Sequence, residues 1–443
     1  MPAGAFDQLR AEVRATRAVR DVGRVTEVSR GMMVVSGLLK VAALGDQVRW
    51  LSPNWQSMSG EIVQISSDGA KVMLAGEADG ISVGDRVQHM GPCEISPDET
   101  WLGRIVDPLG RPLDGRPLLR GLHARSLQAS PPPAAERKTL GTRLETGIAV
   151  FNTLLPIVKG QRVGLFAGSG IGKTRLLGQL ASGIEADIVV IALAGERGRE
   201  LREFVDNILG PERMARTIVV AATSDQSPLA RRRAMWSAMA VAEHFRDRGK
   251  HVLLLADSVT RFAEAHREIA LAVGESGTLR GFPPSVAHLI MALTERAGPG
   301  RDGGGDITAI LTVLVAGSDM EEPISDVLRG VLDGHVILDR AIAERGRFPP
   351  IDVLRSVSRS LPEAATPSEN ALIARARQML GTHDRVALMV QSGLYTAGAD
   401  AEVDKAIQIY PQLDNFFAES DEPSISDSFA RLAQCLEGVR DGA

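Results

Sequence analysis

Phe166-Ala-Gly-Ser-Gly-Ile-Gly-Lys-Thr174 decides how this chain reads. An apolar run, Val163-Gly-Leu-Phe166, leads into it, and a helix-compatible run, Arg175-Leu-Leu-Gly-Gln-Leu180, follows. Strand, glycine-rich loop, Lys-Thr and helix, in that order, make the phosphate-binding loop pattern. The backbone of Ala167, Gly168, Ser169, Gly170, Ile171 and Gly172 wraps an anion with its N–H groups turned inward, and the following helix adds its positive N-terminal dipole. In that pattern Lys173 reaches the β/γ-phosphates and the Thr174 hydroxyl binds Mg²⁺. The first position of G-x-x-x-x-G-K-[ST] is Ala167 instead of Gly, a small residue that still fits. The dinucleotide fingerprint G-x-G-x-x-G fails, because counting from Gly168 puts Lys173 in the sixth place. The bland alternative is a glycine-rich turn that binds nothing.

The 443 residues suffice for two or three domains. A net charge of −5 makes no electrostatic case for nucleic acid. Two cysteines, Cys93 and Cys435, exclude a disulfide framework and a four-cysteine zinc site, which suits a reducing cytoplasm. Met1-Pro-Ala-Gly-Ala-Phe-Asp7 has no apolar signal core. The longest apolar runs, Val252–Ala256 and Ile307–Val315, are strand-sized and too short to span a membrane. A cytoplasmic protein with at most peripheral or partner-mediated membrane contact is the expectation.

Outward from the loop, strands and helices alternate between residues 160 and 345. Strands are predicted at Arg162–Phe166, Asp187–Ala192, Thr217–Ala221, His251–Ala256 and Ile307–Val315, and helices at 173–184, 199–209, 228–247, 260–272 and 285–297. That alternation predicts an α/β fold with a mostly parallel sheet and helices on both faces. Residues 7–20 carry Leu9, Val13 and Val19 among four arginines, either a short basic amphipathic helix with a partner-binding role or a frayed, solvated end. Residues 21–92 hold β-type runs at Gly23–Val28, Met32–Val35, Glu61–Ile65 and Lys71–Leu74 between Gly, Asp and Ser turns, the pattern of a small β-barrel with a structural or assembly role. From Thr366 onward the chain turns helical, with candidates at Ala371–Leu388, Ala401–Phe417 and Ile425–Val439. Four parts result: an N-terminal segment 1–20, a barrel 21–92, a phosphate-loop domain 93–345 and a helical domain 346–443. The loop 298–306, with its five glycines, reads as mobile.

Ligands on such sheets sit at the carboxyl ends of the strands, so the residues that follow those ends carry the chemistry. Gly195-Glu-Arg-Gly-Arg-Glu200 follows the second strand and Asp257-Ser-Val-Thr-Arg261 the fourth. A carboxylate directly after an apolar strand, 84 residues beyond Lys173, fits the Walker-B role: Asp257 holds Mg²⁺ through water. Its alternative is the cap of the helix starting near Thr260. Glu196 is the candidate for polarising the attacking water, with Arg197 beside it in the catalytic set; the alternative is a surface ion pair with Arg197 or Arg199. Thr223–Pro228 reads as an N-cap for the helix after it, and Asp225 is a weaker candidate for the site.

These residues carry a family resemblance. Gly195–Glu200, Asp257-Ser-Val-Thr-Arg-Phe-Ala-Glu-Ala-His-Arg-Glu-Ile269, Gly281-Phe-Pro-Pro-Ser-Val286 and Val331-Leu-Asp-Gly-His335 resemble the rotary-ATPase α/β superfamily. The loop 166–173, Ala222-Thr-Ser-Asp-Gln-Ser-Pro-Leu229 and Gly398-Ala-Asp-Ala-Glu-Val-Asp-Lys-Ala-Ile407 resemble the type III secretion ATPases within it, above all those of flagellar protein export. The resemblance covers residues 21 to 440. It implies a RecA-like core, ATP and Mg²⁺ as ligands, and a homohexamer with each ATP between two subunits. Ile351-Asp-Val-Leu-Arg-Ser-Val-Ser-Arg-Ser360 then supplies Arg359 as the finger entering a neighbour's site. Phe348, in Gly346-Arg-Phe-Pro-Pro350, matches the aromatic that stacks on adenine, and Tyr395 closes the other side of the base; ordinary packing is the alternative for both.

The resemblance further implies a stator-like export protein at the N-terminus. It places a coiled-coil stalk and chaperone–cargo complexes at the C-terminal domain, contact with a membrane export gate through partners, and no nucleic acid. Ala316 and Ser318 stand where relatives are often acidic, and Asn152 where they often have Asp. An injectisome ATPase with the same chemistry, a rotary ATP synthase subunit, a non-catalytic ring subunit and a Rho-type RNA translocase are the competing readings. The last needs an aromatic, basic front domain, where residues 21–92 hold only Trp50 and Trp55.

Overall fold

The computed structural model describes residues 5–52, 57–315, 320–420 and 424–437. Trp55, Ala316, Ser318 and the end of the last helix beyond 437 lie outside them. The central sheet runs, edge to edge, Ile351–Ser358, Gly334–Leu338, Arg162–Ala167, Asp306–Leu314, His251–Asp257, Ile188–Glu196, Thr217–Thr223 and Arg104–Val106, with Gly298–Pro299 added antiparallel to Asp306–Leu314. Every other pairing is parallel except that of Ile351–Ser358 with Gly334–Leu338. Side chains on a strand alternate between faces, and the run Ile188–Ala194 shows the consequence. Val189, Ile191 and Leu193 enter one apolar layer, while Ile188, Val190, Ala192 and Ala194 enter the other. A strand buried on both faces reads as continuous apolar sequence, which is why these strands were legible. Each Val, Ile or Leu so buried contributes about 1.5–3 kcal/mol of transfer free energy.

A closed six-stranded barrel precedes this sheet, in the order Val22–Ser29, Met32–Ser36, Gly69–Leu74, Ser57–Ser66, Gln47–Leu51 and Arg86–Gly91. Val25, Val35, Val48, Trp50, Ile62, Val72 and Val87 fill it. Two of its strands, Gln47–Leu51 and Arg86–Gly91, escape the sequence reading, each carrying two polar residues on its outward face, Gln47 and Arg49 on one and Arg86 and Gln88 on the other. His89 moreover points inward, where Asp46 meets it at 2.7 Å. The barrel is fastened to the core by Glu61, whose buried carboxylate accepts from both Arg232 and Arg233, the latter at 2.6 Å. A helix at Ala5–Ala15 is tied down by Gln8 to Asp98 (2.8 Å) and by Glu12 to the Arg120 amide (3.1 Å).

Three further differences from the sequence reading have physical causes. The helix expected at 199–209 is split: an α-turn Gly198–Glu203, a wider π-turn Phe204–Leu209 and a new α-turn Gly210–Met214. The widened turn places both Phe204 and Leu209 in the core. The loop 298–306, expected to be mobile, is knitted in. The Lys138 amide donates to the Gly300 carbonyl (3.0 Å), Gly305 to the Arg246 carbonyl (2.8 Å), and Lys138 Nζ pairs with Asp306 at 2.8 Å. The sheet also continues past residue 345, since Ile351–Ser358 pairs with Gly334–Leu338. Helices Pro367–Gln391, Ala401–Phe416 and Ile425–Glu437 follow, the first opened by a capping box between Thr366 and Glu369. Asn152 joins them to the core: its Oδ1 accepts from Thr146, and its Nδ2 donates to Ser428 at 3.1 Å.

Candidate active site

The phosphate loop leaves the sheet at the carboxyl end of Arg162–Ala167. Gly170 and Gly172 take φ of +77° and +88°, a left-handed backbone that favours glycine. Ala167 is the last strand residue, in register with Leu314 and Leu338 and wholly buried in the apolar layer. Its methyl group lies in the core rather than over the loop, which explains why glycine is dispensable there. The helix Lys173–Gly183 starts without any side-chain cap, so its first amides stay open to an anion. Thr174 lies exposed in that first turn. Arg340 Nη2 donates to the Ser169 carbonyl at 3.0 Å and steadies the loop from outside.

Lys173, Asp257 and Glu196 converge beside this loop. Lys173 Nζ binds Asp257 Oδ1 and lies 3.9 Å from Glu196 Oε1. Asp257 closes its strand and is 3% exposed; Thr312 Oγ1 donates to the same Oδ1 at 2.7 Å. Ser258, not Asp257, caps the next helix, accepting from the Arg261 amide at 3.3 Å. Asp257 is therefore free of the capping role that was its alternative. Glu196 is aimed by a bulge: the pairing of Ile188–Glu196 with Thr217–Thr223 shifts between Ala194 and Glu196, and Gly195 takes φ of +77°. Burial raises the Glu196 carboxyl to about 7, the Asp257 carboxylate adds to this, Lys173 opposes it, and Glu200 adds a little more. A carboxyl poised near neutrality within reach of a phosphate loop suits proton acceptance from water.

The remaining candidates divide. Phe348 stands at the loop, its ring 3.5 Å from where a Cβ on Gly172 would lie, and the residue is 45% exposed. Arg197 is turned outward, 3.6 Å from Glu200. Asp225 faces water and accepts from Thr223, while Ser227 caps the helix Pro228–Arg246. The Tyr395 hydroxyl donates to Asp404 at 2.9 Å. Among the described residues no hydrogen bond or ring contact joins Tyr395 to the phosphate loop.

Arg359 lies at the far end of the sheet. Its amide donates to the Asp333 carbonyl, level with Arg162 where the phosphate-loop strand begins. At about 3.3 Å per residue, that is roughly 16 Å along the strands from the level of Leu338 and Ala167. Among the described residues its exposed guanidinium binds the Arg329 carbonyl, at 2.9 Å, and it is out of reach of its own subunit's loop. Thr312 and Arg340 were missed in the sequence; the signal for Thr312 was a hydroxyl inside the apolar run 307–315.

The residues fit a nucleotide and a divalent ion. The loop offers open amides and an ammonium, and Gly170 has nothing within 4 Å of where a side chain would start. Among the described residues no group of three or more His, Cys, Asp or Glu could hold a metal by itself. A Mg²⁺ ion would rest on Thr174, on Asp257 through water and on phosphate oxygens, the division of labour usual for that ion.

Comparison with known proteins agrees with this geometry. The model for the nucleotide-binding domain of the ATP synthase alpha/beta family matches residues 147–358, and that for the T3SS EscN ATPase C-terminal domain matches residues 365–434. The flagellum-specific ATP synthase of Agrobacterium fabrum is 42% identical over 94% of this chain and 88% of its own length. That of Caulobacter vibrioides is 42% identical over 94% and 96%, and that of Salmonella typhimurium 41% over 94% and 93%. The assembled ATPase EscN from the type III secretion system of enteropathogenic E. coli superposes with a TM-score of 0.87 at 36% identity, over 94% of this chain and all of that one. EscN in complex with its central stalk EscO gives 0.83 at 36% identity, with the same coverage. The chain belongs to the ATP synthase alpha/beta family, in the branch of the flagellum-specific ATP synthases and type III secretion ATPases, and is an ATP-hydrolysing enzyme of that kind.

Proposed function

We propose that this chain hydrolyses ATP at the boundaries of a homohexameric ring and so energises flagellar protein export. The observation that carries the reading is the split of the catalytic groups. Lys173, Glu196 and Asp257 meet at the carboxyl end of the sheet, while Arg359 stands exposed at the opposite end. A site of this kind is completed only by a second copy. Lys173 and the loop amides bind the β/γ-phosphates, and Phe348 lies under the base. Bound Mg²⁺, held by Thr174 and by Asp257 through water, would neutralise charge on the phosphates. Glu196 orients the attacking water and takes its proton, with Arg197 and Glu200 nearby as its charged surroundings. Arg359 of the neighbouring copy stabilises charge developing on the γ-phosphoryl group, a contribution of about 10³–10⁵ in rate for such fingers. Positioning and electrostatics dominate, because phosphoryl transfer needs little covalent help.

The flagellar assignment is favoured over the injectisome by the names and the 41–42% identity of the curated relatives, against 36% for EscN. Further partners follow from the same reading: a coiled-coil stalk and chaperone–cargo complexes at the helical C-terminal part, and a stator-like protein on the helix Ala5–Ala15. Among the described residues no helix is long and apolar enough to cross a membrane; a cytoplasmic enzyme reaching the export gate through partners is the corresponding location. We place the end of the catalytic domain after Ser358, where the sheet ends. The test is the ATPase rate of the purified chain across protein concentrations. Specific activity that climbs cooperatively supports the ring, and activity independent of concentration, or none, refutes it.

A further inference from the structure

Thr312 lies on Asp306–Leu314, the strand that separates the phosphate-loop strand from the Asp257 strand. It pairs with Leu165 on one side and follows the Leu311–Ala256 pair on the other. Its side chain is fully buried, a costly place for a hydroxyl without a partner. Among the described residues its hydroxyl has one side-chain partner, Asp257 Oδ1 at 2.7 Å. Lys173 Nζ binds that same oxygen, and no described donor reaches Oδ2. Thr308, four residues earlier and equally buried, makes a useful contrast. Its hydroxyl bonds the Gly160 amide (2.9 Å) and His251 (2.8 Å), well away from the loop.

We infer that Thr312 is a positioning residue for the metal-side carboxylate, holding Asp257 Oδ1 in place when the Lys173 ammonium moves onto phosphate. The inference rests on the nucleotide reading above. Two donors, Lys173 and Thr312, share one oxygen of Asp257. A phosphate competes for Lys173, and Thr312 is then the remaining described donor on Oδ1. Without it the carboxylate is free to rotate, and its other oxygen loses a fixed direction toward the water shell of the ion. A merely structural hydroxyl would affect folding, and would affect nucleotide binding equally with and without Mg²⁺.

The experiment follows binding of a fluorescent ATP analogue to the full chain while Mg²⁺ is titrated, for the native protein, Thr312→Val, Thr312→Ser and Thr308→Val. Hydrogen bonds to charged groups are strong enough that Thr312→Val should need roughly tenfold more Mg²⁺ for half-maximal tight binding. Its affinity for the analogue in chelator should stay native. Thr312→Ser should lie within about twofold of the native chain, and Thr308→Val should lower thermal stability while keeping the native Mg²⁺ dependence. If Thr312→Val does not fold, Thr312→Ala is held to the same outcome. Native Mg²⁺ dependence in the hydroxyl-free variant, or equal weakening with and without Mg²⁺, overturns the inference alone. A native chain that binds no nucleotide under either condition overturns the proposed function and this inference with it.

Discussion

Replacing Glu196 by Gln should stabilise the nucleotide-free protein while it cripples hydrolysis, and the two effects have one origin. The Glu196 carboxyl is pushed up to about 7 by burial and by the Asp257 carboxylate. The folded state therefore holds this proton more tightly than the unfolded chain does. The resulting contribution to stability is full below the ordinary Glu value and is lost as pH rises through about 7. From 4.5 to about 7 is two and a half pH units, or about 3.4 kcal/mol at about 1.36 kcal/mol per unit in a dry site. The side chain is 21% exposed and shares the field of Lys173, so screening leaves about 1–2 kcal/mol. Gln carries no charge to desolvate. Glu196→Gln should thus melt several degrees above the native chain at pH 8.5, at about 2–4 °C per kcal/mol for a domain of this size, and with it at pH 5. Hydrolysis should fall by about 10²–10⁴, the usual worth of a general base, with ATP binding kept. The assays are nucleotide-free thermal melts at the two pH values and steady-state ATP turnover. Equal melting at both pH values refutes the electrostatic account, and native turnover removes Glu196 from the mechanism.

Lys173→Ala should abolish ATP binding and leave the buried Asp257 carboxylate without its ammonium, a loss of about 3–5 kcal/mol at pH 8. Calorimetric unfolding of the variant beside the native chain checks this. Phe348→Ala should raise the KM for ATP about threefold to tenfold, from about 0.5–1.5 kcal/mol of lost stacking, with kcat little changed, while Phe348→Tyr stays near native. In the native enzyme kcat/KM should rise with pH through about 7 as Glu196 ionises in the free enzyme, and this limb should vanish in Glu196→Gln; a pH–rate profile decides.

The sheet was legible because its strands are buried on both faces and spell continuous apolar runs such as Val252–Ala256. The loop was legible because glycine spacing and a following Lys-Thr admit few alternatives. Strands with polar outward residues, Gln47–Leu51 and Arg86–Gly91, gave no such signal. Edge strand Arg104–Val106 was hidden too, being only three residues long with a charged first member whose guanidinium is held by Asp114 at 2.7 Å. Glu196 and Asp257 could be named from their place after strand ends. Their electrostatics could not, because these depend on Lys173 and on the bulge at Gly195, which bring together residues far apart in the chain. Arg359 owed its recognition to a resemblance, and its physical rationale, a position at the wrong end of its own sheet, emerges only from strand register.

That position yields the most direct test of catalysis at a subunit boundary. Lys173→Ala and Arg359→Ala are each purified, shown to be inactive alone, mixed in equal amounts under assembly conditions, and assayed for ATP turnover. If Arg359 acts on the neighbouring copy, some boundaries in mixed rings pair an intact Lys173 from one variant with an intact Arg359 from the other, and activity returns in the mixture. Co-assembly without any recovered turnover contradicts the account.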